Sequence, residues 1–293
     1  MKFVRTLLSP CLLMCACTTS SLFNQDNFSV DLGYGVKMDF ISIPEGTFTM
    51  GHNPVEVELS PFALGKTEVT QAQWLAIMGN NPSIFVGENL PVTNVSWEDA
   101  IKFCKKLTER AHSAGYLPKN LKFSLPTEAQ WEYACRAGTE TLYSFGDDAS
   151  LFPLYANFPD KSFLDDEPEA SITFHTLSHG VFDSKGVLIR ELNDGFAHTA
   201  PVGSFRPNAW GFYDMHGNVA EWCLDYYSLH RPGGKDPIRT TPGGGETGKR
   251  RVARGGSFFM AFIALFAIFP WAGLSKSNVA VGFRVALVQS PNP

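Results

Sequence analysis

The sequence predicts a single α+β domain with much irregular structure, and three observations indicate this class. The 293-residue chain contains 26 glycines and 19 prolines, which favour many turns over long regular elements. Its first half holds three amphipathic segments that begin at helix-capping residues. Its second half consists of short apolar stretches separated by Gly, Pro and Asn, which is typical of short strands.

The elements of the first half follow from local sequence. Residues 38–51, MDFISIPEGTFTMG, alternate apolar and polar side chains through an early turn, which predicts a β-hairpin. Capping boxes predict three helices, because a hydroxyl residue stands three positions before a Gln or an acidic residue. The pairs are Thr70 with Gln73, Ser96 with Asp99, and Thr127 with Gln130. Cys104 lies on the apolar side of the second helix and is expected to be a buried thiol.

The N-terminus has the architecture of a secretion signal. Two basic residues, Lys2 and Arg5, precede a short apolar region, and small polar residues follow it. Cys17 after Ala16 is typical of a bacterial lipoprotein signal, so residues 1–17 are expected to direct export and Cys17 to carry the lipid. A plain secretion signal with incidental cysteines is the alternative.

The predicted anchor determines the expected location of the chain. Because more than one acyl chain gives stable anchoring, the protein is expected in the bacterial cell envelope, at the outer surface, touching the membrane through its N-terminus only. Residues 18–30 form a polar tether, and one domain is expected over residues 31–290. Residues 158–192 are predicted to be an insertion, acidic at first and then with a hairpin around Asp183–Gly186. The net charge of −5 does not indicate a nucleic-acid partner.

A series of motifs in fixed order identifies a family resemblance. The chain reads IPEGTFTMG, KTEVTQAQW, PVTNVSWEDAIKFC, LPTEAQWEYACRAG, TAPVGSFRPNAWGFYDMHGNVAEW, RGGSF and VGFRVAL. This order resembles the sulfatase-modifying-factor family, whose type member is the formylglycine-generating enzyme, over roughly residues 38–288. The resemblance implies a C-type-lectin-like fold in its enlarged, mostly irregular form. It also implies that Trp131, Trp210 and Trp222, which lie in these motifs, belong to the core of the scaffold.

Catalysis is not expected, because the residues that carry it in the family are missing. In the enzymes a pair of cysteines after the GGS motif binds copper, and thiolates suit Cu(I). Met260 and Leu265 stand at those positions, and no cysteine follows Cys223. No cofactor for catalysis is therefore expected. The histidines are scattered along the chain and are expected to be surface or loop residues rather than metal ligands: His175, His179, His198, His216 and His230.

The resemblance implies two structural calcium sites, since carboxylates and backbone carbonyls are the ligands that Ca²⁺ prefers. Carried over by position, the first site comprises the carboxylates of Asp214 and Glu221 with the carbonyls of Gly217 and Val219. The second site comprises the Asp194 carboxylate and the Phe196 carbonyl, joined by Asn157 and the Phe158 carbonyl. The alternative is that these carboxylates only accept hydrogen bonds from loop amides.

An uncharged apolar run, Phe258–Pro270, contains five phenylalanines and needs its own explanation. As a membrane span it is interrupted by Pro270 and Gly273 and falls short of the usual ~20 apolar residues. A core strand buried on both faces is a second explanation. However, the region between GGS and GFR lies mostly at the surface in the family, where such a run would form an exposed apolar patch.

A further resemblance favours the surface explanation. C-type-lectin-like domains of this type serve as the variable proteins of diversity-generating retroelements, in which adenine-directed mutagenesis rewrites codons of the C-terminal segment. The residues of the run are almost all accessible from an AAC codon. Residues 254–288 therefore resemble such a variable segment, with fixed ends at Arg254–Ser257 and Gly282–Val285. The expected exposed recognition positions are Phe258, Phe259, Ala261, Phe262, Ile263, Leu265, Phe266, Ile268, Leu274, Ser275, Val279 and Ala280.

The function implied is a surface-displayed, ligand-binding lipoprotein. Aromatic side chains give large rigid contact areas, so a protein ligand with an apolar surface is the expected partner. Two alternatives remain. One is a divergent oxidase of the formylglycine-generating type, and the other is an accessory lipoprotein whose apolar run docks a fixed partner.

Overall fold

The computed structural model describes residues 27–51, 53–166, 192–228, 230–242, 250–259, 271–273 and 278–290. Cys17 and the predicted signal lie outside the described residues, as does the predicted hairpin around Asp183–Gly186. Residues 158–166 of the predicted insertion are described. Phe158 and Phe163 within them are each 2% exposed, so the start of the insertion is part of the packed domain.

The described residues form twelve strands and five helices. The strands are β1 (Phe28–Asp31), β2 (Lys37–Ile43), β3 (Gly46–Met50), β4 (Val55–Leu59), β5 (Phe62–Gly65), β6 (Leu121–Ser124), β7 (Ala220–Tyr226), β8 (Gly234–Lys235), β9 (Arg251–Arg254), β10 (Trp271–Gly273), β11 (Val281–Gly282) and β12 (Ala286–Gln289). The helices are α1 (Gln71–Met78), α2 (Trp97–Ser113), α3 (Glu128–Arg136), α4 (Phe152–Tyr155) and α5 (Lys161–Asp166).

The strands form three sheets within the described part of the chain. The largest has the order β1-β2-β5-β12-β6, and all its neighbours are antiparallel. A second sheet has the order β10-β9-β7-β11, and a third has the order β3-β4-β8. Because β12 lies between β5 and β6, the C-terminal strand of the domain is paired on both of its edges within the main sheet.

The three predicted helices are confirmed together with their caps. In α1, α2 and α3 the hydroxyl of the N-cap residue accepts a hydrogen bond from the backbone N–H three residues later, and the side chain there returns one. Helix α2 buries one apolar face against β6 and α1. Cys104 lies on that face and is 2% exposed, as predicted.

The hairpin predicted over residues 38–51 is wrong. Strand β2 pairs with β1 on one edge and with β5 on the other, so neither edge is left for β3. Strand β3 instead pairs antiparallel with β4, so that Gly46 lies opposite Leu59 and Met50 lies opposite Val55. The alternation of apolar residues identified both strands correctly, but the pairing depends on partners elsewhere in the chain.

Two large apolar clusters form the core on the two sides of the main sheet. One contains Trp222, and the other contains Trp131; both indoles are completely buried, as predicted. Trp210 differs from the prediction, because it is only half-buried at the edge of the second cluster. Within the described part of the chain, none of the helices has the length and apolar character that a membrane span requires.

Candidate ligand-binding surface and calcium sites

The segment predicted to vary (residues 254–288, the variable segment) pairs with the same strand, β7, at both of its predicted fixed ends. On one side β9 pairs antiparallel with β7, which brings Arg254 opposite Glu221. On the other side β11 pairs parallel with β7, which brings Gly282 opposite the same Glu221. Both fixed ends of the segment therefore flank β7 next to one buried carboxylate, and between them β10 pairs with β9 over Trp271–Gly273.

The first end of the variable segment is held by an ion pair with α3. Arg254 is fully buried, and its guanidinium lies 2.8 Å from Glu132 Oε2 and 3.3 Å from Glu128 Oε1. The ring of Trp131 lies 5.1 Å from the guanidinium carbon, in cation–π range. A buried charge with one partner removed is costly, so these contacts fix the position of the segment's start.

The second end is held by Arg284, which is also fully buried. Its Nε and Nη2 each donate to one oxygen of Glu221 at 2.6 Å, so the pair is bidentate. The remaining donors reach the carbonyl oxygens of Gly65 and Tyr213 at 3.0 Å each. Trp131 Nε1 donates to Glu221 Oε2 at 2.8 Å, which completes the partners of the carboxylate.

The structure corrects two of the expected recognition positions. Phe258 is 2% exposed and Ala280 is completely buried, so neither side chain is available to a ligand. The reason is that Phe258 packs against rings from distant segments: Phe85, Phe163 and His198. Val279 is partly buried against the same cluster. These residues attach the segment to the scaffold.

Phe259 is 47% exposed, which agrees with its expected role as a recognition position. Its ring contacts the ring of Phe163 edge-on, at 5.7 Å between centroids. The partly exposed ring of Phe259 is therefore supported by a buried aromatic residue. The other expected positions lie outside the described residues: Ala261, Phe262, Ile263, Leu265, Phe266, Ile268, Leu274 and Ser275.

Sequence reasoning missed an exposed apolar loop beside Phe258. Ile84 is 64% exposed and Val86 is 76% exposed, and they flank Phe85, whose ring contacts Phe258. Two exposed branched side chains around an aromatic contact extend the apolar surface beyond the variable segment. The sequence contained a signal, because the stretch SIFV lies in a loop with no helical or strand periodicity.

At the first predicted calcium site, Asp214 is free to bind an ion, but Glu221 is not. Asp214 is buried; its Oδ2 accepts from Gly203 N–H at 2.8 Å, and its Oδ1 has no hydrogen-bond partner among the described residues. The pKa of Asp214 is raised to about 6, mainly by burial and to a smaller extent by the nearby Glu221 charge. Glu221, by contrast, already pairs with Arg284 and Trp131.

The loop that carries the first site has an unusual backbone. Asp214 and Asn218 have φ values of 60° and 63°, and Gly217 has a φ of 133°. A Cβ at Gly217 would lie 2.0 Å from the carbonyl oxygen of Asn157, so the loop needs glycine there. Strained backbone of this kind concentrates at binding sites. Asp214 Oδ1, buried in this loop without a partner among the described residues, is the observation there that an ion with oxygen ligands would explain.

The second predicted site is brought together across the insertion. Asp194 accepts hydrogen bonds from the backbone N–H groups of Phe158 at 2.9 Å and Phe196 at 2.8 Å. Burial raises the pKa of Asp194 to about 7. Asn157 is completely buried, and its Oδ1 has no partner among the described residues. An unpaired buried oxygen beside a desolvated carboxylate fits a cation with oxygen ligands.

A transition-metal site is not supported in the same way. Within the part of the chain that the structure describes, no three His, Cys, Asp or Glu side chains are grouped to hold a metal ion. An ion at either calcium site would therefore depend on carbonyl and amide oxygens as well as carboxylates.

Comparisons with known proteins agree with this geometry. Residues 35–288 match the family described as sulfatase-modifying factor enzyme 1-like domain. The chain belongs to the sulfatase-modifying-factor family. The family resemblance and the α+β fold of the formylglycine-generating type that the motifs predicted are thus confirmed.

Two sequence relatives and one solved structure illustrate the range of the family. The chaperone protein LppX of Paenibacillus barcinonensis is 30% identical over 239 residues, which are 72% of this chain and 79% of LppX. The formylglycine-generating enzyme of Mus musculus is 33% identical over 196 residues, 65% of this chain but only 41% of the enzyme. The structure of Treponema denticola variable protein 1 matches with a TM-score of 0.68 and 27% identity, over 89% of this chain and 98% of the other.

The three cysteines among the described residues are buried thiols. Cys104, Cys135 and Cys223 are buried and unpaired, and burial raises the pKa of each thiol, that of Cys135 to about 12. Met260 and Leu265, at the positions of the copper ligands, lie outside the described residues, but neither side chain supplies a thiolate.

His216 lies in a loop, as expected, but it is not at the surface. It is 2% exposed, and desolvation lowers its pKa to about 3, so the imidazole is neutral at physiological pH. Its Nε2 lies 2.9 Å from the hydroxyl oxygen of Ser144. This histidine therefore packs within the loop core and carries no charge that a substrate could use.

We expect Arg284→Met to lower the free energy of unfolding by about 3–5 kcal/mol, because it leaves Glu221 charged, buried and without its main partner. Denaturant unfolding measures this. The double variant Arg284→Met/Glu221→Gln should recover part of the loss.

The matched control is Lys105→Ala. Its side chain is 75% exposed in the surface pair with Glu109, so its removal should change stability by less than about 0.5 kcal/mol. Equal, small effects of Arg284→Met and Lys105→Ala would show that the buried pair does not hold the segment's end.

Proposed function

We propose that this protein is a ligand-binding lipoprotein, displayed at the bacterial cell surface, whose variable segment is a diversified recognition surface on a fixed scaffold. The observation that carries the proposal is the similarity to Treponema denticola variable protein 1 over nearly the whole of that chain. The anchor is the lipid on Cys17, and the ligand is a protein with an apolar surface.

The way in which the segment is attached supports this proposal. Arg254 and Arg284 hold its two ends through buried ion pairs, and Phe258 and Ala280 attach it by apolar packing. Side chains between these attachment points can then change without disturbing the charges that hold the ends. Phe259 is 47% exposed and its ring is supported by the buried ring of Phe163. Rigid aromatic anchors of this kind contribute much of the binding free energy in protein interfaces.

The protein does not act as an oxidase under this proposal. Its relatives include the formylglycine-generating enzymes, so family membership alone allows catalysis. The missing copper thiolates and the buried, protonated thiols favour binding instead. A fixed docking role for an accessory lipoprotein is the second candidate, and the exposed apolar loop at Ile84 and Val86, outside the variable segment, favours it.

Sequencing the 3′ end of the gene across many cells of one culture separates these functions. We expect substitutions confined to codons that contain adenine in a near-copy of the 3′ end, between residues 259 and 279. Codons 254–258 and 280–285 should be invariant, because they encode the buried attachments, Phe258 and Ala280 included. A near-copy and a reverse transcriptase gene should lie nearby. An invariant segment in all cells, with no such copy, would contradict diversification and favour the fixed docking role.

We also propose that two calcium ions stabilise the scaffold at the sites around Asp214 and Asp194. Ligand that binds only the folded state stabilises it by about 2.7 kcal/mol at a hundredfold excess over Kd. We therefore expect Ca²⁺ to raise the melting temperature relative to the protein in chelator. Asp214→Asn and Asp194→Asn should each reduce that increase.

The control for the calcium experiment is Asp165→Asn on α5. Its carboxylate is 64% exposed and pairs with Lys161, so this variant should keep the full response to Ca²⁺. Identical melting in Ca²⁺ and in chelator would contradict the proposal, as would an equal loss of response in all three variants.

A further inference from the structure

A cleft on the fixed part of the scaffold has the composition of a second binding site. It has a volume of about 540 Å³ and lies between the β3–β4 hairpin and the C-terminal end of α3. Small-molecule sites are roughly 300–1,000 Å³. Its lining comprises Thr47, Phe48, Thr49, Gly51, Glu56, Tyr133, Arg136, Gly138, Thr139, Glu140 and Trp210. No lining residue belongs to the variable segment or to the cluster around Phe258.

Three aromatic rings form one wall of the cleft. Tyr133 lies at the centre, with its ring centroid 5.1 Å from that of Phe48 and 4.9 Å from that of Trp210. Rings at these separations are in contact, so no cation fits between them as it would in an aromatic cage. All three rings are only partly buried, which leaves apolar faces open to the cleft.

The rest of the cleft lining is polar and includes side chains of both signs of charge. Arg136 is 9% exposed and its Nε is paired with Glu132 Oε1 at 2.9 Å, which fixes the guanidinium at the cleft wall. Across the opening, Glu56 is exposed and accepts from the Thr49 hydroxyl at 2.8 Å, and Glu140 is exposed as well. A guanidinium offers donors and the carboxylates offer acceptors, in a space with an aromatic wall.

This combination selects one class of ligand. A purely apolar molecule would desolvate the charged side, and a strong anion would meet Glu56 and Glu140. A compact cation would be repelled by Arg136 and would find no aromatic cage to hold it. A sugar ring has an apolar C–H face for the aromatic wall and hydroxyls that both donate and accept. We propose that this cleft binds a neutral saccharide, separately from the recognition surface.

Such a site would be constant while the variable segment changes. Trp210 is the central residue for the test, because it is half-buried although its motif predicted a core position. It contacts the ligand directly in this proposal. Glu56 contributes acceptors at the rim, and its substitution leaves the buried ion pairs of Arg136 and Arg254 unchanged.

Saturation-transfer NMR on the purified full chain tests the proposal with three neutral disaccharides as probes: maltose, cellobiose and lactose. We expect transfer to the C–H protons of at least one of them, with a Kd of about 1 mM. Trp210→Ala should weaken binding at least about tenfold, Trp210→Phe should restore part of it, and Glu56→Gln should weaken it about threefold.

Phe259→Ala is the matched control, because it removes an exposed aromatic ring on the other surface and should leave sugar binding unchanged. Melting curves of Trp210→Phe and Glu56→Gln, whose side chains are not core residues, verify that these variants are folded. The proposal is overturned if none of the three sugars receives saturation from the parent protein. It is equally overturned if Trp210→Ala, Trp210→Phe and Glu56→Gln all bind as the parent does, or if choline chloride binds in place of the sugars.

Discussion

The ion pair between Glu221 and Arg284 is the constraint on which the rest of this structure depends. Glu221 lies on β7 with Arg254 opposite it on β9 and Gly282 opposite it on β11, so both ends of the variable segment meet at one carboxylate. Arg284 uses both oxygens of that carboxylate, and two backbone carbonyls accept its other donors. Removing one partner of a buried ion pair is strongly destabilising, so this pair fixes the second end of the segment against β7.

The same cluster holds more carboxylates than guanidinium groups. Glu68, Asp214 and Glu221 are three buried carboxylates around a single guanidinium, that of Arg284. Burial, with repulsion from Asp214 and Glu221, raises the pKa of Glu68 well above its usual range. Protons or a divalent cation relieve this repulsion. Calcium at Asp214 would therefore stabilise the loop that leads into β7, the strand that carries Glu221, and would connect scaffold stability to the frame of the proposed recognition surface.

Much of the fold could be predicted because its signals are local. The capping boxes at Thr70, Ser96 and Thr127 identified three helices, and the ordered motifs identified the family. The hairpin over residues 38–51 failed because strand pairing is decided by distant partners. The prediction that Phe258 is exposed failed for the same reason, because the rings that bury it, Phe85 and Phe163, come from separate parts of the chain. Glu221 was predicted as a calcium ligand, but in the structure it pairs with Arg284. The motif shows that a carboxylate is present and does not show which charged group pairs with it.

The central claim is that the scaffold provides stability and the exposed part of the variable segment provides recognition. Denaturant unfolding of the triple variant Phe259→Ser, Phe262→Ser, Phe266→Asn, beside Phe258→Ser and the parent, tests this most directly. The account predicts that the triple variant keeps the parent's unfolding free energy to within about 1 kcal/mol. Phe258→Ser should lose about 3 kcal/mol or more, because its ring is buried among Phe85, Phe163 and His198. A triple variant that unfolds as readily as Phe258→Ser would contradict the account.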